Sequence, residues 1–162
     1  MPPPGHETAA PLGLKPVLRT SLEPTPPYSL KLTAFKPSHF PSANVRLQGD
    51  AWYQALCFEG VPLGVKLWDK GEPDHPRVGV AVFAERDPGP GLLARLASEL
   101  RHRYDMDSDV TDFYRRFSPD PLLGPLLSRY RGMRVSAAES LFEFLVVAVV
   151  LRGPGVRRLP AV

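Results

Sequence analysis

Apolar and polar positions change their period once along this chain, near residue 90. Before it, the spacing is that of strands. Tyr28 to Phe35 alternates, with Tyr28, Leu30 and Leu32 on one face, and predicts a half-buried strand that Phe40-Pro41-Ser42 ends. Val45-Arg46-Leu47 predicts a short strand closed by the turn Gln48-Gly49-Asp50. Ala51 to Phe58 and Val61 to Leu67 are aromatic and β-branched runs joined by Glu59-Gly60, the strongest hairpin signal in the chain. A polar turn over 69–77 leads to Val78 to Phe83, which again alternates. These runs predict a four- or five-stranded antiparallel sheet.

After Asp87-Pro88-Gly89-Pro90-Gly91 the period becomes helical. Leu92, Leu93, Leu96 and Leu100 fall on one side of a helix and Arg95, Glu99, Arg101 and Arg103 largely on the other, so this helix is expected to cover the sheet. The acidic linker over 104–109 offers Ser108 or Asp109 as a cap for a helix carrying Val110, Phe113, Tyr114 and Phe117. Asp120-Pro121 is a cap followed by a first-turn proline and starts a second short helix, which Arg131-Gly132 stops. Ser136-Ala137-Ala138-Glu139 fits a capping box ahead of Leu141 to Leu151. The valines of that last run also suit a strand, but eleven residues after a capping box favour a buried helix. That helix is apolar nearly all round, and the eleven residues after it, with two glycines and two prolines, cannot wall it in. A partner must cover it, or the chain stops short of its domain.

The expected fold class is therefore α+β: a small antiparallel sheet with a covering helix, followed by the first helices of an incomplete all-α domain. The expected organisation is a flexible lead over 1–27, an α+β domain over 28–104, a helical segment over 105–152 and an irregular tail over 153–162. The lead is assigned from composition, because eight of the twenty prolines lie before residue 28. A single cysteine, Cys57, excludes an internal disulfide framework and a multi-cysteine metal cluster, and its mid-strand place predicts a buried or half-buried thiol. Four scattered histidines provide no metal-ligand spacing, so no metal or other cofactor is expected. The longest uninterrupted apolar run, Phe144 to Leu151, is eight residues, too short to span a bilayer, and there is no secretory signal pattern. The expected compartment is cytoplasmic, with no membrane association.

Charge sharpens one region. Twenty Lys and Arg against seventeen Asp and Glu give only +3, of which the balance overall argues nothing. Residues 115–134, however, hold Arg115, Arg116, Arg129, Arg131 and Arg134 against Asp120 alone. That cluster fits phosphate contacts, and it equally fits a solvated face or pairing with the acidic linker. Arg152, Arg157 and Arg158 extend it if the tail folds back. Asp105, Asp107, Asp109 and Asp112 lie in a linker or at a helix start and are read as solvated caps, and no lysine follows Lys70. No residue is assigned a catalytic role.

One family shares several of these features. Asp112-Phe113-Tyr114, then Ser118-Pro119-Asp120-Pro121-Leu122-Leu123, then Leu126-Leu127-Ser128-Arg129-Tyr130-Arg131-Gly132-Met133-Arg134 resembles the N-terminal part of the helix-hairpin-helix DNA glycosylases, the superfamily of 3-methyladenine and 8-oxoguanine glycosylases. In such enzymes a short Asp-Pro helix and an Arg-Gly-Leu/Met-Arg turn join a small α+β domain to the helical catalytic core. Leu141 to Leu151 looks like the first core helix. Where the family places Gln-Gln or Gln-Asn this chain has Arg152-Gly153, and the family's hairpin, catalytic aspartate and catalytic lysine are absent. The pattern is that of a chain interrupted near residue 152.

The resemblance implies base excision repair, hydrolysis of the N-glycosidic bond of a damaged base, with this truncated chain inactive. It implies double-stranded DNA as partner and Arg129, Arg131, Arg134 and Arg152 as DNA-binding residues. The alternative is a non-catalytic DNA- or protein-binding module, self-associated or completed by a partner chain through helix 140–151. A third reading is an unrelated α+β protein with no affinity for duplex DNA.

Overall fold

The computed structural model describes residues 14–34 and 44–137, and beyond them residues 142, 145, 146, 148 and 149, which are helical. Its strands are β1 (Lys15–Leu22), β2 (Val45–Gln48), β3 (Ala51–Phe58), β4 (Val61–Asp69) and β5 (Val78–Ala84). They form one antiparallel sheet in the order β1-β5-β4-β3-β2. Its helices are α1 (Leu30–Ala34), α2 (Pro90–Arg103), α3 (Thr111–Phe117) and α4 (Leu123–Arg129). The α+β class is as expected.

The hairpin forms where it was predicted. Glu59 and Gly60 both take positive φ, 50° and 79°, as the two-residue turn that matches strand twist requires. One side of the sheet is the core. Leu63, Val65 and Leu67 of β4 and Val78, Val80 and Val82 of β5 pack against Leu93, Leu96 and Leu100 of α2. Trp52 joins this side and donates its indole N–H to the Tyr104 hydroxyl at 2.8 Å, which in turn donates to Gln54 at 3.0 Å.

Two elements differ from expectation. The proline-rich lead contributes a strand: β1 pairs along β5 from Lys15↔Ala84 to Leu22↔Val78, with a register shift at Val17. An edge position tolerates Pro16, whose missing N–H is not needed by a neighbour, and Leu18 and Leu22 are half-buried against the core. The other difference is Tyr28 to Phe35, where Leu30–Ala34 is a helix and not a strand. The Asp69 carboxylate at the end of β4 accepts the Leu30 and Lys31 amides at 3.2 and 3.1 Å, and Ser29 Oγ accepts the Leu32 amide at 3.3 Å. These acceptors satisfy the donors that open a helix, while β1 already occupies the β5 edge. Cys57 is also exposed, since Leu56 and Phe58 on either side take the inner face.

The two short helices start later than the sequence predicts, at Thr111 and Leu123 with Pro121 left outside, and the two aspartates hold the turns that lead into them. Asp109 accepts the Thr111 amide at 2.8 Å, and Asp120 accepts the Leu122 and Leu123 amides at 2.8 and 2.9 Å. Hydrogen bonding to Thr111 holds the Asp109 carboxyl below the usual range, and the Leu123 and Leu122 amides do the same for Asp120. A carboxyl depressed in the folded state stabilises above its unfolded pKa, and that stabilisation disappears as pH falls through the folded value. Hydrogen exchange in α3 and α4 is therefore expected to accelerate relative to α2 between about pH 5 and 2. Equal protection of all three helices across that window would contradict the capping role.

Candidate nucleic-acid interface

The arginine cluster of residues 115–134 lies on α3, α4 and the turn that follows them. Neither helix buries a residue. They are instead held to the sheet unit through Arg131-Gly132-Met133-Arg134. Gly132 has φ 81° and fits against the backbone of Tyr28 and Ser29, and its carbonyl accepts the Ser29 amide at 2.8 Å. Its own amide donates to the Tyr114 hydroxyl of α3 at 2.9 Å. Arg131 reaches Asp74 in the β4–β5 connection at 2.5 Å, with its guanidinium 5.4 Å from the Tyr114 ring centroid, and this pairing holds the Asp74 carboxyl below its ordinary range.

Arg134 is interior. It is 4% exposed, donates to the carbonyls of Thr25 and Ser108 at 3.2 Å each, and has the Asp105 carboxylate 4.0 Å from its Nε. Its amide donates to the Thr33 hydroxyl at 3.0 Å. The guanidinium thus faces interior carbonyls, and in this arrangement it is enclosed where Arg129 is exposed. Charge counting missed this because the carbonyls that receive it come from segments 26 and 109 residues away.

The remaining arginines separate by their partners. Arg115 pairs with Asp112 at 2.8 Å. Arg129 is exposed, with its guanidinium 5.5 Å from the Tyr130 centroid, and Arg116 is exposed; neither is in an ion pair among the described residues. Arg152 lies outside the described residues. The linker acids act as expected of caps and pairs: Asp107 takes Arg101, Asp105 takes the Ser108 hydroxyl, and Asp112 takes Arg115. Among the described residues no group of three or more His, Cys, Asp or Glu converges on a metal-sized site, and no helix is long and apolar enough to cross a membrane.

Several large apolar side chains near these arginines in sequence are exposed: Leu122, Leu126, Met133 and Val135, and beyond them Phe142, Leu145, Val146 and Val149. The solved 3-methyladenine DNA-glycosylase from Archaeoglobus fulgidus superposes on this fold with a TM-score of 0.64 at 17% identity, over 84% of this chain and 45% of that one. The fold is distantly glycosylase-like. The chain thus spans less than half the length of that structure. No protein-family model matches it, and no curated protein matches it in sequence. In this chain the Arg131-Gly132-Met133-Arg134 segment joins the sheet unit to α3 and α4. Two of the four arginines expected to touch DNA, Arg131 and Arg134, hold that joint together.

Proposed function

We propose that this chain is a glycosylase-like protein of base excision repair that engages double-stranded DNA without excising a base by itself. The glycosylase-like fold supports this reading, because the matched part includes the sheet unit and the helices that follow it. Arg129 and Arg116, which are exposed and in no ion pair among the described residues, provide phosphate contacts, while Arg131 contributes when it leaves Asp74. Asp74 and Asp109 line a pocket with Tyr114 and Arg131, but there Asp74 is paired with Arg131 and Asp109 accepts the Thr111 amide, so neither carboxylate is free to face a developing sugar cation.

Fluorescence anisotropy with a 20-base-pair duplex, repeated across salt concentrations, tests the binding. Replacing both Arg116 and Arg129 with glutamine is expected to flatten the log K against log salt slope by about 2, near 0.9 per lost phosphate contact. Base release from duplexes carrying alkylated or oxidised purines is expected to stay at the level of the protein-free control. Absence of duplex binding at low salt would exclude the repair reading, and base release would exclude the non-catalytic one.

The exposure of Phe142, Leu145, Val146 and Val149 favours a second reading, a binding module completed by another copy of the chain through the 140–151 segment. Sedimentation equilibrium decides it: a dimer that Leu145→Glu dissolves supports the module, and a monomer at all concentrations excludes it.

A further inference from the structure

The side of the sheet turned away from the core has a composition of its own. Strand register places five residues in one transverse row: Arg19 on β1, Ala81 on β5, Lys66 on β4, Tyr53 on β3 and Arg46 on β2. The next row places Trp68 beside Gly79 and Ala51. No strand residue on this side is acidic. Arg19 and Arg46 are exposed, and neither they nor Lys66 nor Lys70 is in an ion pair among the described residues. The cations of the helices, by contrast, mostly have carboxylate partners.

Aromatic rings lie among these charges. The Lys66 ammonium is 5.3 Å from the Tyr53 centroid and 5.5 Å from that of Trp68, and Lys70 is 5.6 Å from Trp68. Trp68 lies flat along β5, because its register partner Gly79 has no Cβ to hold the indole off; a Cβ there would fall 2.2 Å from the ring. Beside Tyr53 and Arg46 a groove of about 280 Å³ is lined by Leu14, Ala55, Gly64 and Phe83. It is just below the ~300 Å³ at which small-molecule sites begin. It has room for one planar ring and not for a duplex.

We propose that this sheet face binds a single-stranded segment of nucleic acid. Neighbouring strands are about 4.8 Å apart, so the row from Arg19 to Arg46 is about 19 Å long. That length suits a strand of about 4 nucleotides, the low end of single-strand sites. Phosphates pair with Arg19, Lys66 and Arg46. Bases stack on Tyr53 and Trp68 when the Lys66 ammonium leaves the rings for a phosphate, and one base enters the groove at Phe83. An acidic polypeptide or an anionic membrane would satisfy the charges but leave the rings and the groove unused. The inference rests on the sheet alone and is independent of the duplex reading for the helices.

The test uses the full chain and a labelled 20-mer of thymidine, followed by anisotropy and by tryptophan fluorescence. Trp68 is expected to be quenched, while Trp52, on the core side, provides a constant background. Replacing Arg19, Arg46 and Lys66 together with glutamine is expected to weaken binding at least tenfold and to flatten the salt slope by about 2, near 0.7 per phosphate. Tyr53→Ala is expected to weaken binding about fivefold or more with the slope unchanged. The three cations are surface side chains, so an unchanged melting curve confirms that the triple variant is folded. A triple variant that binds like the parent overturns the proposal. So does a Tyr53→Ala variant that binds normally while polyglutamate or phosphatidylserine vesicles compete as well as the oligonucleotide. Replacing Arg116 and Arg129 should leave thymidine binding intact, which separates this outcome from failure of the duplex reading.

Discussion

Gly132→Ala is expected to lower stability by about 3–5 kcal/mol. Two effects add. A Cβ at φ 81° enters the left-handed region, which costs an ordinary residue about 1–2 kcal/mol. The added carbon would also fall 2.6 Å from the Tyr28 carbonyl carbon and 2.7 Å from the Ser29 amide, both backbone atoms that no rotamer change can clear. Gly60 in the β3–β4 turn provides the internal control, because it has a φ of 79° with nothing within 4 Å of its Cβ position. Gly60→Ala should therefore show only the conformational part, about 1–2 kcal/mol. Urea unfolding of the two variants measures the difference directly. Equal losses would mean that the contact with Tyr28 and Ser29 is loose, and the joint between the helices and the sheet would have to be sought elsewhere.

Arg134→Met is expected to cost about 2–4 kcal/mol. Methionine keeps much of the apolar stem but leaves the Thr25 and Ser108 carbonyls without their donor and removes the cation facing Asp105. The guanidinium is also 6.0 Å from the Tyr28 ring centroid, so the substitution loosens packing at the core edge as well. Arg134→Lys should recover only part of the loss, because one nitrogen, Nη2, serves both carbonyls, and lysine lacks the Nε beside Asp105 and the planar group over the Tyr28 ring. The decisive contrast is with DNA binding. A clamp changes the unfolding midpoint and leaves the salt slope for duplex binding where it was. An Arg134 variant with unaltered stability and a flatter salt slope would return this residue to the interface.

What the sequence revealed depended on how far away the deciding partner lies. The Glu59-Gly60 hairpin, the switch to a helical period after the 87–91 turn and the acceptor role of Asp120 ahead of α4 are decided within a few residues, and each was legible. The helix at Leu30 was not, because its capping carboxylate, Asp69, arrives from 39 residues away. Alternation of Tyr28, Leu30 and Leu32 suited a strand equally well until that acceptor was in place. β1 was hidden by its prolines, since composition cannot show that β5 offers an open edge to residues 15–22. The candidate site divided in the same way. The arginine cluster was visible as charge, but the separation of exposed Arg129 from enclosed Arg134 depends on who surrounds each. Arg19, Lys66 and Arg46 drew no notice at all, because only strand register aligns residues so far apart in the chain.

The Arg134 clamp also dictates an order of assembly on the ribosome. Thr25 emerges early, yet the side chain that holds its carbonyl is synthesised 109 residues later. At about 5–20 residues per second that interval is about 5–20 s. The β3–β4 hairpin can close as soon as it leaves the exit tunnel, and β1 can dock once β5 follows it. The connection around Thr25 must wait for the far side of α4. The sheet can thus be nearly finished as a nascent chain before its attachment to the helices forms.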